Sequence, residues 1–173
     1  MARMSFKRLL RHRLWDEADA RRALPADALA RLGQRVAASE ARHTGEIRVC
    51  VEAGLPLSYL WRDAPARERA VTMFAKLRVW DTEHNNGVLL YLLLAEHRIE
   101  IVADRALARC VPAGHWQQLV DAMGEAFRAG RFEQGLADAI AAVDALLAAH
   151  FPRDAGAAAP RPNALPDEPV VIG

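Results

Sequence analysis

The chain has 173 residues, 52% hydrophobic and 26% charged, with a net charge of +1. That length supports one domain with a core of its own, and the near-neutral balance excludes a global pull toward nucleic acid or membrane. The longest apolar run, Gly87 to Ala95, falls far short of the roughly 20 residues a membrane helix needs, and MARMSFKRLLRHRLW lacks the apolar stretch of a secretory signal. Cys50 and Cys110 show no zinc-ligand spacing, so two reduced thiols packed as small hydrophobes in a cytoplasmic protein are expected.

In chain order, residues 1–23 form a basic N-terminal segment. Arg3, Lys7, Arg8, Arg11 and Arg13 precede the first acid, and Phe6, Leu9, Leu10 and Leu14 fall near helical spacing. Two readings stand: a basic amphipathic foot that touches anionic lipid or a partner, and a frayed leading helix with a solvated face. Pro25 opens a helix with Leu29, Leu32 and Val36 on one face. Glu46 to Glu52 alternates polar and apolar, which predicts a strand with one wet side. Leu55 to Trp61 reads as an apolar loop, either folded into the core or exposed as a partner surface centred on Trp61. A helix follows from Pro65, with Val71, Phe74, Leu77 and Val79 on its inner side.

The dry segment 87–95 predicts a central strand covered on both faces. Glu96-His97 reverses the chain into a second strand that ends near Asp104. Helices from Pro112 and from Phe132 complete a domain over 24–152, and the Ala/Pro-rich residues 153–173 read as a disordered tail. A helical crossover makes the first two strands parallel, and the hairpin makes the third antiparallel. The fold class is α/β, a small mixed β-sheet sandwiched between helical layers.

Pairing the hairpin across Glu96-His97 sets Leu89 against Asp104 and Val88 against Arg105. Glu46, Asn85, Asn86, Asp104 and Arg105 then converge on one rim. Glu52, Glu96 and His97 gather at the other, which is where open α/β sheets usually bind ligands.

HTGEIRV at 43–49, HNNGVLLYLLL at 84–94, RIEIVADRALARCVP at 98–112 and FRAGRFEQGLADAIAAVDALL at 127–147 together resemble the TPM domain. The family takes its name from a thylakoid lumen protein, a photosystem II repair protein and a receptor modulator. The likeness spans about residues 25–150 and implies a TPM-like sheet between helices. It further implies acid phosphatase activity with a divalent cation, calcium or magnesium, and a role in membrane-protein maintenance beside a LemA-type membrane partner. Glu46 matches the glutamate of the Thr-x-Gly-Glu-Ile piece, and Asn86-Gly87 matches the end of the common Asp-Asn-Gly. Asn85 stands where that aspartate is usual, Ala103-Asp104-Arg105 where Gly-Tyr-Gly is usual, and Arg131 where an aspartate is usual.

The expected chemistry follows from these residues. Asp81-x-Glu83-x-Asn85 alternates oxygen donors as a calcium loop does, but Asn86 and Leu92 occupy the positions where an EF-hand needs Gly and an acid. A cation held by Glu46, Asp104 and Asp81 is one reading; a polar cap in which Asn85 and Asn86 close a turn and an acid pairs with Arg105 is the other. Asp104-Arg105 also suits a phosphate. Glu46 and Asp104 are the candidate catalytic groups, and Asn85, Asn86, Gly87, Arg105 and Trp61 the candidate binding residues. Two functions compete: a binding or adaptor module, cytoplasmic with peripheral contact at the inner membrane and a protein partner, and a weak metal-assisted phosphomonoester hydrolase.

Overall fold

A computed structural model describes residues 5–154 and 163–173. Four strands, β1 (Glu46–Glu52), β2 (Gly87–Leu93), β3 (Arg98–Ala103) and β4 (Val170–Ile172), form one sheet in the order β3-β2-β1-β4. β1 runs parallel to β2 and β4, and β2 runs antiparallel to β3. Ile47, Val49, Val51, Val88, Leu90, Leu92, Ile99 and Ile101 build a core with α3 (Ala26–Glu40), α7 (Ala113–Arg128) and α8 (Phe132–His150). Cys50, Leu89, Tyr91, Leu93 and Val102 build a second core on the opposite face with α5 (Ala66–Lys76). The period-2 alternation of each strand sends side chains to both faces, so the helical layers on either side follow from the sequence, as expected.

Three local expectations change. The hairpin turns through a short 3-10 segment at Leu94–Glu96 and a left-handed His97 at φ 49°, so Leu89 pairs with Val102 and Val88 with Ala103. This two-residue shift leaves every side chain on its expected face. β1 has no wet side: all seven residues are buried, because α5 and the returning tail cover the polar positions. The Arg48 guanidinium donates to the carbonyls of Pro166 and Glu168. The tail is therefore not structureless throughout. Residues 155–162 lie outside the described residues, but 163–173 lie along the sheet and end in β4.

Phe74, Leu77 and Val79 pack on the second core as expected, and Val71 alone departs from the stripe. Val71 is exposed, whereas Ala66, Arg69, Ala70 and Met73 face inward. Arg69 faces inward because Glu52 holds it inside the second core. Arg69 donates to Glu52 at 2.7 and 2.9 Å, and the Tyr91 hydroxyl donates at 2.5 Å. Cys50 is buried beside this group, and burial pushes its thiol up to about 12. Cys110 departs from the expected packed thiol: it sits exposed at the end of α6 (Arg105–Cys110).

The N-terminal segment forms two helices, α1 (Phe6–Arg13) and α2 (Glu17–Ala23). Asp16 and Asp19 close a reciprocal capping box at the start of α2. α1 is pinned to the hairpin turn through Glu96, which accepts from Arg8 Nε at 2.8 Å and from His12 Nε2 at 3.0 Å. The Leu55 amide donates to His12 Nδ1, so the ring proton sits on Nε2 and faces Glu96. Burial works to raise the Glu96 carboxyl, but the hydrogen bonds from His12 and Arg8 outweigh it and hold the group at about 2, below its ordinary 4.5. A depressed carboxylate stabilises the fold above its unfolded pKa and loses that contribution as pH falls toward the folded value. Between pH 4.5 and 2 the anchoring of α1 is expected to weaken, by on the order of 3 kcal/mol. Amide exchange of residues 8–13 compared at pH 7 and pH 3 checks this; equal protection at both would contradict it.

Candidate functional site

The rim where β1 and β2 begin and β3 ends is built on Gly87. Glu46 pairs with Gly87 across β1 and β2, and the Asp104 amide donates to the Gly87 carbonyl at 2.8 Å. Two residues further out, the Ala106 amide donates to the Asn85 carbonyl at 3.0 Å. Segments 85–87 and 104–106 are thus clasped by backbone, with Glu46 on the far side of Gly87. A side chain at position 87 would meet the Val79 carbonyl oxygen at 2.0 Å, so only glycine lets the connection from α5 cross there. Asn85 makes the turn into β2 with a left-handed φ of 51°, a conformation asparagine tolerates better than most residues. Glu46, Asn85, Asn86, Asp104 and Arg105 all reach this rim.

Their environments differ. Asn86 is fully buried and Asp104 is 6% exposed. Asn86 Nδ2 donates to Thr44 Oγ1 at 3.1 Å, and Asp104 Oδ1 accepts from the Arg105 amide at 2.7 Å. The other side-chain oxygens, Asn86 Oδ1 and Asp104 Oδ2, meet no donor among the described residues. A buried acceptor left so costs about 1–3 kcal/mol. Glu46 is also buried, and its Oε1 accepts from the Ala164 amide at 3.3 Å. Arg105 points into solvent and pairs with no acid among the described residues. Asp81 is exposed and is held by Arg78 at 2.7 Å.

A cleft of about 210 Å³ adjoins the rim, lined by Glu40, His43, Thr44, Glu46, Asn163 and Asp167 among others. Glu40 accepts from the Ile47 amide at 2.8 Å. Burial pushes its carboxyl up to about 8, with Glu46 and Asp167 adding to the rise, so it carries a proton at neutral pH. Sequence reasoning missed Glu40, because a glutamate near the end of an amphipathic helix reads as solvated surface. Asp167 and Asn163 were missed because they lie in the segment read as a disordered tail.

The opposite rim is occupied by structural contacts. Glu52 is bound by Arg69 and Tyr91, and Glu96 by Arg8 and His12. The His97 ring packs edge-on against Trp15 and Phe132. Nor do the buried Ser39 and His43, with the half-buried Asp144, make a nucleophile. Asp144 contacts Ser39 Oγ at 3.0 Å and lies 3.6 Å from His43 Nε2, the nitrogen that faces the serine. A catalytic triad needs the acid on the other ring nitrogen, and here Nδ1 faces the Gly45 carbonyl.

The profile of the TPM domain matches residues 18–146. The chain belongs to the TPM family. The NMR structure of the BA42 protein from the psychrophilic bacterium Bizionia argentinensis superposes with a TM-score of 0.72 at 26% identity, covering 86% of this chain and 94% of that one. The N-terminal domain of a P. gingivalis protein, at 21% identity and a TM-score of 0.55, covers 74% of this chain and 79% of its own, and shares the fold. No curated protein matches the chain. Among the described residues, this TPM domain has no grouping of three or more His, Cys, Asp or Glu side chains arranged for a metal ion. Nor is any helix among them long and apolar enough to cross a membrane. The buried oxygen-bearing side chains along the rim are Asp104, Asn86 and Glu46.

Proposed function

We propose that this TPM domain is a binding module whose rim holds a divalent cation through Asp104 and Asn86, with Glu46 adding negative charge beside them. The observation that carries this reading is the pair of buried oxygens, Asn86 Oδ1 and Asp104 Oδ2, that face no donor on the same clasp. Calcium or magnesium would stabilise the folded state by mass action. Thermal unfolding with and without millimolar cation tests it: a rise in Tm for the wild type that disappears in Asp104→Asn supports the site, and an unchanged Tm counts against it.

A second reading is metal-assisted phosphomonoester hydrolysis. Glu40 favours it, since a carboxyl held near 8 beside the rim is poised to give up or take a proton near neutral pH. A divalent cation there would supply Lewis acidity. Hydrolysis of a generic aryl phosphate that requires cation and is lost in both Glu40→Gln and Asp104→Asn would establish it. Turnover indifferent to both changes would remove it and leave the binding module.

A further inference from the structure

The N-terminal helix leaves a hydrophobic stripe uncovered, whereas the long helices α3, α7 and α8 bury theirs in the core. Phe6, Leu10 and Leu14 are 73%, 50% and 69% exposed. Their spacing of four places them on one side of α1 and its last turn, within an arc of about 80°. The opposite side is the docked one: Arg8 binds Glu96, Asp63 and the Ala64 carbonyl, His12 is buried, and Leu9 joins the second core. The stripe is therefore held outward by fixed contacts.

Charge identifies what would cover it. Lys7 and Arg11 flank the stripe on one side and Arg13 on the other, and none of the three has an ion-pair partner among the described residues. No acid occurs before Asp16, although the whole chain carries only +1. Unpaired basic charge thus edges this apolar stripe. α4 (Leu57–Trp61), which touches α1, exposes Leu57 and Trp61 as well. An apolar band edged by unpaired cations, on a helix lying along the surface, matches the boundary between anionic headgroups and acyl chains.

We propose that α1 docks this protein on an anionic bilayer surface, with Phe6, Leu10 and Leu14 entering the acyl boundary and Lys7, Arg11 and Arg13 meeting the headgroups. Flotation of the full chain with vesicles of phosphatidylcholine alone, or with about one third phosphatidylglycerol, tests it. The expected result is partition at least about tenfold higher onto the anionic vesicles, weakened by salt. Leu10→Glu and the pair Lys7→Glu/Arg11→Glu should each lower partition about tenfold or more. These are surface positions, so both variants should keep the wild-type unfolding midpoint, which excludes misfolding as the cause of any loss. Absence of binding, equal partition onto both vesicles, or wild-type partition by Leu10→Glu would each overturn the proposal. So would a dimer in sedimentation velocity that Leu10→Glu dissociates, since a second copy would then cover the stripe.

Discussion

Gly87→Ala is expected to destabilise the protein by about 3 kcal/mol or more, at the severe end of overpacking. The reason is space rather than backbone conformation. A methyl at position 87 would lie 2.0 Å from the Val79 carbonyl oxygen and 3.0 Å from Val79 Cγ1. Val79 is fully buried, and its amide is tied to the Phe74 carbonyl at the end of α5, so it has no room to retreat. Relief would have to come from the start of β2, which carries Glu46 on one side and Asp104 on the other. Urea unfolding measures the loss. Gly114→Ala serves as the comparison, because a methyl there meets nothing within 4 Å and should leave the midpoint unchanged or slightly raised. A Gly87→Ala protein with the wild-type midpoint would contradict a close crossing of Val79 over Gly87.

Arg69→Met should cost about 3–5 kcal/mol, because it strands a buried carboxylate. Glu52 is 1% exposed and Arg69 8%. With the guanidinium gone, Glu52 keeps only the Tyr91 hydroxyl. The stacking of Arg69 over the Tyr59 ring, 5.4 Å from its centroid, is lost as well. Removing the charge along with its partner should be milder. The double variant Glu52→Gln/Arg69→Met retains an acceptor for Tyr91 and leaves no buried ion, so it is expected to recover a good part of the lost stability. Equal destabilisation of the single and double variants would mean that Arg69 acts by packing alone.

The same two positions show where sequence reading succeeds and where it stops. The hairpin was legible, because a dry run before a reversal admits few alternatives. With the right-handed crossover it places Glu46 near Asp104 without reference to any distant contact. Arg69 was not legible: nothing local says that Glu52, in an alternating strand, has its polar side roofed over. That roof is α5 and the tail, and the tail's strand is three residues long, too short for a period. Arg8 and Glu96 lie 88 positions apart, and an ion pair at that separation leaves no trace in composition or spacing, so the sequence left the N-terminal segment between a frayed helix and an amphipathic foot. Within the rim, residue types pointed to Glu46, Asn86 and Asp104. Burial then separates them from Asp81, which is exposed beside Arg78, and from Arg105, which is solvated. Glu40 needed coordinates, since its proton affinity arises from burial and from Glu46 and Asp167 around it.

Calorimetric titration of calcium, magnesium and manganese into the wild type and into Asp104→Ala tests the rim most directly. Saturable binding of at least one ion to the wild type, absent from a folded Asp104→Ala, is the predicted result. Binding of equal strength in both proteins, or none in the wild type, would contradict it.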